Sequence, residues 1–173
     1  MKKIVITGGL GYIGTELCKI YSGYSWNDDI TVIDKRFISE RVNQLRNWNI
    51  NFIQGDILDK SIVKKYCAEA DVVHHLAGIT DVPRTKNEAS KSQDEKIKEV
   101  GERGTQNILD VISDNCKIIF PSTHVVYEGI NEIKKDIRED EETKPVLSYS
   151  TSKAINENQL KKSGKNYIIL RLG

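Results

Sequence analysis

The chain has 173 residues, 38% hydrophobic and 29% charged, the proportions of one soluble domain with material for a single core. Its 26 basic and 25 acidic residues leave a formal charge of +1, too little for a bulk field that recruits nucleic acid or an acidic membrane. Cys18, Cys67 and Cys116 are scattered with no CxxC pair, which points to reduced thiols in a cytoplasmic protein and away from a disulfide frame or zinc site. The apolar stretch after Met1 is too short for a secretory core, and no later run has the length to span a bilayer.

Six short runs rich in Val and Ile are predicted strands: 3–7, 30–34, 50–54, 71–77, 117–122 and 166–172. They lack polar alternation, as parallel strands covered on both faces do. Helical patterns fill the gaps at 12–22, 38–47, 60–67, 94–113 and 147–163. The longest carries Ile97, Val100, Gly104, Ile108, Val111 and Ile112 on one stripe. Strand alternating with helix predicts an α/β fold, a doubly wound parallel sheet of the Rossmann type, as one domain over 1–173. The charged run "KKDIREDEETK" (134–144) reads as a solvated loop, and "KKSGK" (161–165) as a helix end stopped by Gly164.

The first strand runs into "TGGLGYIGTEL", with Gly8, Gly11 and Gly14 three residues apart and a helix following. Glycine at such a turn allows unusual dihedrals and close approach of a ligand, and the helix start offers N–H groups to a pyrophosphate. The next strand ends in Asp34, a carboxylate placed to accept the hydroxyls of an adenosine ribose and to repel a 2′-phosphate. This favours NAD over NADP. Lys35 and Arg36 follow it and read as solvated residues opening a helix, although either cation suits a 2′-phosphate. Asp56, in "GDILD", is equally compatible with an adenine contact or a cap on the next helix.

Near the end, "YSTSK" sets Tyr149 and Lys153 four apart, on one face of a helix. A free tyrosine titrates near 10, and a neighbouring ammonium together with the positive nicotinamide ring of a bound NAD is expected to lower that value and make the phenol a usable base. An amphipathic helix with a half-buried Tyr and a snorkelling Lys produces the same spacing. Thr123 stands at the end of the fifth strand, on the sheet edge where such folds place ligands. Its plainer role is a strand-end hydroxyl bonded to backbone, a role that Ser122 fills more readily. His74 and His75 are adjacent on a strand and point to opposite faces, so they are read as structural and no metal site is expected. His124 lies either near a substrate or outward.

"TGGLGYIG", "GDI", "HLAG", "PSTHVVY" and "YSTSK" occur in the order seen in extended short-chain dehydrogenases/reductases, which the chain resembles from residue 3 to residue 172. The likeness is greatest to nucleotide-sugar epimerases and dehydratases. It implies an NAD site made by Gly8, Gly11, Tyr12, Ile13, Gly14, Asp34, Lys35, Asp56, Ile57, Leu76, Ala77, Gly78, Tyr149 and Lys153. It also implies a catalytic group of Thr123, Tyr149 and Lys153, a nucleotide-sugar substrate and a homodimer. An epimerase is the leading expectation. A net NAD(P)-dependent sugar or alcohol dehydrogenase/reductase, or a non-catalytic NAD-binding module, is the alternative.

Three departures from the family pattern bear on this. His124 and Val125 stand where sugar-nucleotide 4,6-dehydratases carry Asp-Glu, which disfavours water elimination. Gly101 takes the place of a helix asparagine that in many members supports a water chain to the lysine. The sequence also stops at "ILRLG", where relatives continue into a smaller substrate domain. The chain is therefore expected to be either a fragment or a protein that binds substrate poorly.

Overall fold

The structure, a computed structural model, describes residues 1–24, 28–80, 91–132 and 135–173. Strands β1 (Lys3–Thr7), β2 (Asp29–Asp34), β3 (Asn51–Gln54), β4 (Val72–His75), β5 (Lys117–Thr123) and β6 (Asn166–Leu172) form one sheet in the order β3-β2-β1-β4-β5-β6, with every pairing parallel. Helices α1 (Tyr12–Gly23), α2 (Ser39–Asn47), α3 (Lys60–Cys67), α4 (Lys91–Lys98), α5 (Gly104–Leu109) and α6 (Ser148–Lys162) connect them. The strand order reverses between β1 and β4, which opens a crevice beyond the carboxyl ends of the strands. Among the described residues, no helix is long and apolar enough to cross a membrane.

Alternation along β1 explains why the strand carries no polar face. Val5 joins one core cluster with Ile33, Val73, Ile118 and Phe120, whereas Ile4 and Ile6 join the other with Val32, Leu10 and Cys18. Both faces of the central strands are covered, so successive residues there are both apolar. The edge strand β6, expected to be covered too, leaves Ile168, Leu170 and Leu172 exposed. Gly164, at φ +70°, ends α6 as expected. Residues 135–144 form an irregular and largely exposed stretch, pinned at its end where Lys144 N–H donates to Val126 O (2.8 Å) and Lys144 O accepts from Gly129 (2.8 Å). Lys134 lies outside the described residues.

The helix expected over 94–113 takes another form. It begins at Lys91, passes through a π-helical turn at Glu99–Arg103 and ends at Leu109. The turn lies against α6: a Cβ on Gly101 would overlap Ser152 Oγ, and Gln159 Nε2 donates to Glu102 O (3.0 Å). The apolar stripe nevertheless faces inward, with Ile97, Ile108 and Ile112 buried within the chain.

His74 and His75 do point to opposite faces. Tyr21 OH lies 2.8 Å from His74 Nε2, while His75 bridges Thr7 Oγ1 (2.9 Å) and Thr105 Oγ1 (3.0 Å). Hydroxyls serve as donor or acceptor, so a neutral ring satisfies both contacts. Burial pulls the pKa of His74 down to about 4 and that of His75, also opposed by the Lys153 ammonium, to about 3. The unfolded chain therefore binds more protons than the native one from about pH 6.5 downward. Stability is expected to fall as pH drops through that window, by on the order of 3 kcal/mol per ring at pH 4. Urea unfolding at pH 7, 5 and 4 measures this, and His74→Gln should flatten the decline; an unchanged slope in the variant would refute it.

Candidate active site

At the end of β1 the backbone turns so tightly that side chains have no room. Gly8 has φ +71°, and a Cβ on it would lie 2.7 Å from the Cα and N of Ala77. The loops after β1 and β4 thus touch backbone to backbone. Gly11 N–H closes the turn on Gly8 O (3.0 Å), and a Cβ on Gly14 would meet Gly9 Cα at 2.6 Å. Gly9 is equally constrained, since its Cβ would lie 2.5 Å from Val32 Cγ1. The three-residue glycine spacing passes over it, and only the register with β2 reveals it. No side chain caps α1, so the N–H groups of its first turn stay open, beside Tyr12 (82% exposed) and Ile13 (47% exposed). Leu76 N–H donates to Thr7 O (3.0 Å) and Ala77 N–H to Thr7 Oγ1 (3.3 Å), while the Cβ position of Gly78 is open.

Asp34 is 5% exposed and closely held. One oxygen accepts from Leu10 N–H (3.0 Å), the other from Arg36 N–H (3.0 Å), and the Arg36 guanidinium spans both (3.2 and 3.3 Å). Arg36 is exposed, as expected, but does not open the helix: α2 starts only at Ser39, and the guanidinium folds back on the carboxylate. Lys35 Nζ pairs with Asp56 Oδ2 (2.8 Å). Burial pushes the Asp56 carboxyl up, but Lys35 and Leu58 N–H together hold it below its ordinary range. Capping of α3 falls to Asp59, whose side chain accepts from Ser61 N–H and Ile62 N–H. Ile57 turns its side chain into the core against Gly104.

The other half of the crevice lies at the end of β5. Thr123 is 9% exposed, and its Oγ1 accepts from Val125 N–H (3.3 Å). Thr123 rather than Ser122 thus takes the strand-end role, because Ser122 Oγ donates to the buried Glu157 carboxylate (2.6 Å). Tyr149, in the first turn of α6, is half-buried. Lys153 Nζ donates to Pro121 O (2.8 Å) and sits 4.4 Å from the ring centre of Phe120 and 5.9 Å from that of Tyr149. Burial pulls its pKa down to about 8, against the opposing pull of Glu157. In the chain alone burial pushes the Tyr149 pKa up, and the ammonium is directed to the Pro121 carbonyl. Desolvation outweighs a cation aimed elsewhere.

His124 begins the short 3-10 turn His124–Tyr127 and is exposed, with Nδ1 3.1 Å from Leu172 O. It lines a cavity of about 520 Å³ with Val125, Tyr127, Glu128, Ile137, Arg138, Glu139 and Arg171. Tyr149 and Lys153 are not in that wall. Gly101 leaves no room for the side chain that the family pattern places there.

Residues 5–169 match the model of the 3-beta hydroxysteroid dehydrogenase/isomerase family. The chain is 28% identical over 184 residues to a dTDP-D-glucose 4,6-dehydratase of Dictyostelium discoideum, covering 96% of this chain and 41% of the relative. It is 30% identical over 173 residues to a UDP-glucose 4-epimerase of Neisseria meningitidis serogroup C, covering 92% and 48%. It superimposes with a TM-score of 0.77 and 26% identity on the crystal structure of UDP-glucose 4-epimerase from Brucella ovis in complex with NAD, covering 99% of this chain and 51% of that one. The chain spans about half, or less, of the length of these relatives.

The buried amine has a direct readout. Competitive amine labelling followed by mass spectrometry should give Lys153 a midpoint near pH 8, below the value of about 10.4 usual for lysine. A midpoint shared with the surface lysines would refute the burial described.

Proposed function

The chain belongs to the 3-beta hydroxysteroid dehydrogenase/isomerase family, among the extended short-chain dehydrogenases/reductases, and on that premise we propose that it is the cofactor-binding and catalytic part of an NAD-dependent nucleotide-sugar epimerase. One observation carries the reading. The glycine turn, the buried Asp34 and Thr123 all lie at the carboxyl ends of strands of a single parallel sheet, and Lys153 on α6 reaches Pro121 O near the end of β5.

The residues fit the dinucleotide. Uncapped N–H groups at the start of α1 suit a pyrophosphate, and Asp34 suits ribose hydroxyls once the exposed Arg36 gives way. Asp56 suits an adenine contact, and the open Cβ position at Gly78 suits approach of the cofactor. Arg36 and Lys35 each already hold a carboxylate, which supports NAD over NADP: a 2′-phosphate would have to take a cation from Asp34 or Asp56. The relatives crystallised with NAD support the same choice.

NAD, when bound, supplies a reversible hydride acceptor. Tyr149 accepts the proton of the reacting sugar hydroxyl and later returns it, and Thr123 steadies the oxygen with a hydrogen bond. Lys153 would hold the nicotinamide ribose of a bound NAD. In an epimerase the keto sugar presents its other face before hydride returns, and no cofactor is consumed. Elimination of water needs an acid and a base beyond Tyr149, and His124 and Val125 do not form such a pair, so the dehydratases among the relatives are the weaker guide. The family's own description supports a second reading, net dehydrogenation of an alcohol. Stoichiometric formation of NADH would favour that reading; cofactor regenerated in every cycle favours the epimerase.

Tyr149→Phe should lower turnover of a nucleotide sugar by about 100-fold or more while NAD affinity stays within about two-fold. Steady-state kinetics with calorimetric titration of NAD measure both, and turnover retained in the variant would reject the assignment.

A further inference from the structure

Lys153 and Glu157 hold α6 at points about one and two turns beyond Tyr149, so the first turn, where Tyr149 itself stands, needs an anchor of its own. The helix does not supply it. Its N-cap is Leu147, whose side chain has no acceptor, and its first turn carries no acidic residue. The amides that open a helix have no partner within it, and its N-terminus favours a negative charge.

That charge arrives from the turn after β5. Glu128 Oε1 accepts from Val146 N–H (2.8 Å) and Leu147 N–H (2.7 Å), and the Ser150 hydroxyl also reaches it. Ser150 Oγ accepts in addition from Leu147 N–H (3.2 Å), so the N-cap amide and both side chains close on one point. Glu128 is itself tied to Thr123. Its N–H donates to Val125 O (3.1 Å), and Val125 N–H donates to Thr123 Oγ1 (3.3 Å). Alongside, Lys144 N–H donates to Val126 O and Gly129 N–H to Lys144 O, which holds the segment entering α6 against the same turn. One short run of hydrogen bonds thus leads from the Thr123 hydroxyl to the amides just before Tyr149.

We propose that Glu128 is a positioning residue, its carboxylate holding the first turn of α6 to the turn after Thr123 so that the Tyr149 phenol keeps its place relative to the Thr123 hydroxyl. It acts through Tyr149 and not on the reacting atoms. The inference rests on the epimerase reading above and deepens it. Proton transfer to the phenol and a hydrogen bond from Thr123 must reach the same sugar oxygen, and a small displacement of either group costs turnover far more than binding.

Glu128→Ala and Glu128→Gln in the NAD-loaded, full-length natural protein test it by two readouts. Amide exchange followed by mass spectrometry reads the anchor without substrate. In Glu128→Ala the amides of residues 146–151 should exchange at least about ten-fold faster, while those of residues 155–160 stay within about two-fold. Turnover of UDP-glucose reads the consequence. Glu128→Ala should lower kcat about ten-fold while KM and NAD affinity stay within about two-fold, whereas a general loss of structure would weaken binding as well. Glu128→Gln keeps an acceptor oxygen at the same reach and should stay within about three-fold of the wild type in both readouts. Unchanged exchange in Glu128→Ala, an undiminished kcat, a loss confined to KM, or an equal loss in Glu128→Gln would each overturn the proposal. Exchange needs no substrate, so the anchor can fail while Tyr149→Phe upholds the epimerase, and Tyr149→Phe can reject the epimerase while exchange upholds the anchor.

Discussion

The crevice depends on a carboxylate buried beneath a helix. Glu157 accepts from Ser122 Oγ on β5 (2.6 Å) and from Arg171 Nε (2.9 Å) and Nη2 (2.6 Å) on β6. Burial pushes its pKa up, but the guanidinium and the serine hydroxyl bring it below the ordinary range. A buried ion pair costs several kcal/mol of desolvation per ion and is tolerable only when its remaining oxygens are satisfied. Both oxygens are satisfied here. Arg171 in turn donates through Nη1 to Tyr127 OH and to Glu139 O (2.9 Å), so the same ion pair orders the turn after Thr123. Lys153 is one helical turn before Glu157, and its ammonium reaches Pro121 O, the neighbour of Ser122. Two adjacent residues of β5 thus hold two residues on one face of α6, and this fixes where Tyr149 stands relative to Thr123.

The opposite side of α6 is set by sterics. The π-helical turn at Glu99–Arg103 puts Gly101 under Ser152, and the absence of a side chain lets the helices close together. A π turn inside a helix is rare and tends to occur near functional sites. Here it lies against the helix turn between Tyr149 and Asn156. At the other end of the crevice the same logic uses glycine loops: Gly8 against Ala77 and Gly14 against Gly9 leave the backbone as the wall. Charge at that wall is arranged in pairs, Asp34 with Arg36 and Asp56 with Lys35, so the site is close to neutral where a dinucleotide's own charge would enter.

Much of this was legible in the sequence, for identifiable reasons. Strand runs such as "KIVIT" are apolar throughout because both faces are buried, and the observed strands fall within two residues of those expected. Gly8, Gly11, Gly14 and Asp34 were legible because spacing and element context constrain each other. What escaped depended on partners distant in the chain. The π turn answers to Ser152, some fifty residues on, and no local periodicity encodes it. The roles of Ser122 and Thr123 were exchanged because Glu157 and Arg171 become neighbours only when α6 and β6 are in place. The depth of Tyr149 and Lys153 is likewise not encoded locally: helical spacing gives their separation but not their burial.

That depth carries a consequence for the chemistry. Burial drives both groups toward their neutral forms, raising the phenol and lowering the amine. Without a further charge, Tyr149 keeps its proton and is a poor base near neutrality. A positive charge entering the crevice stabilises the phenolate and opposes the ammonium, so it shifts both equilibria toward proton release. The low dielectric that holds the pair neutral also magnifies its response to such a charge. On this argument, readiness for proton transfer is not a standing property of the tyrosine–lysine spacing. It is conditional on occupation of the crevice by a cationic group, and the tight seat of α6 on β5 keeps the geometry constant while the charge state changes.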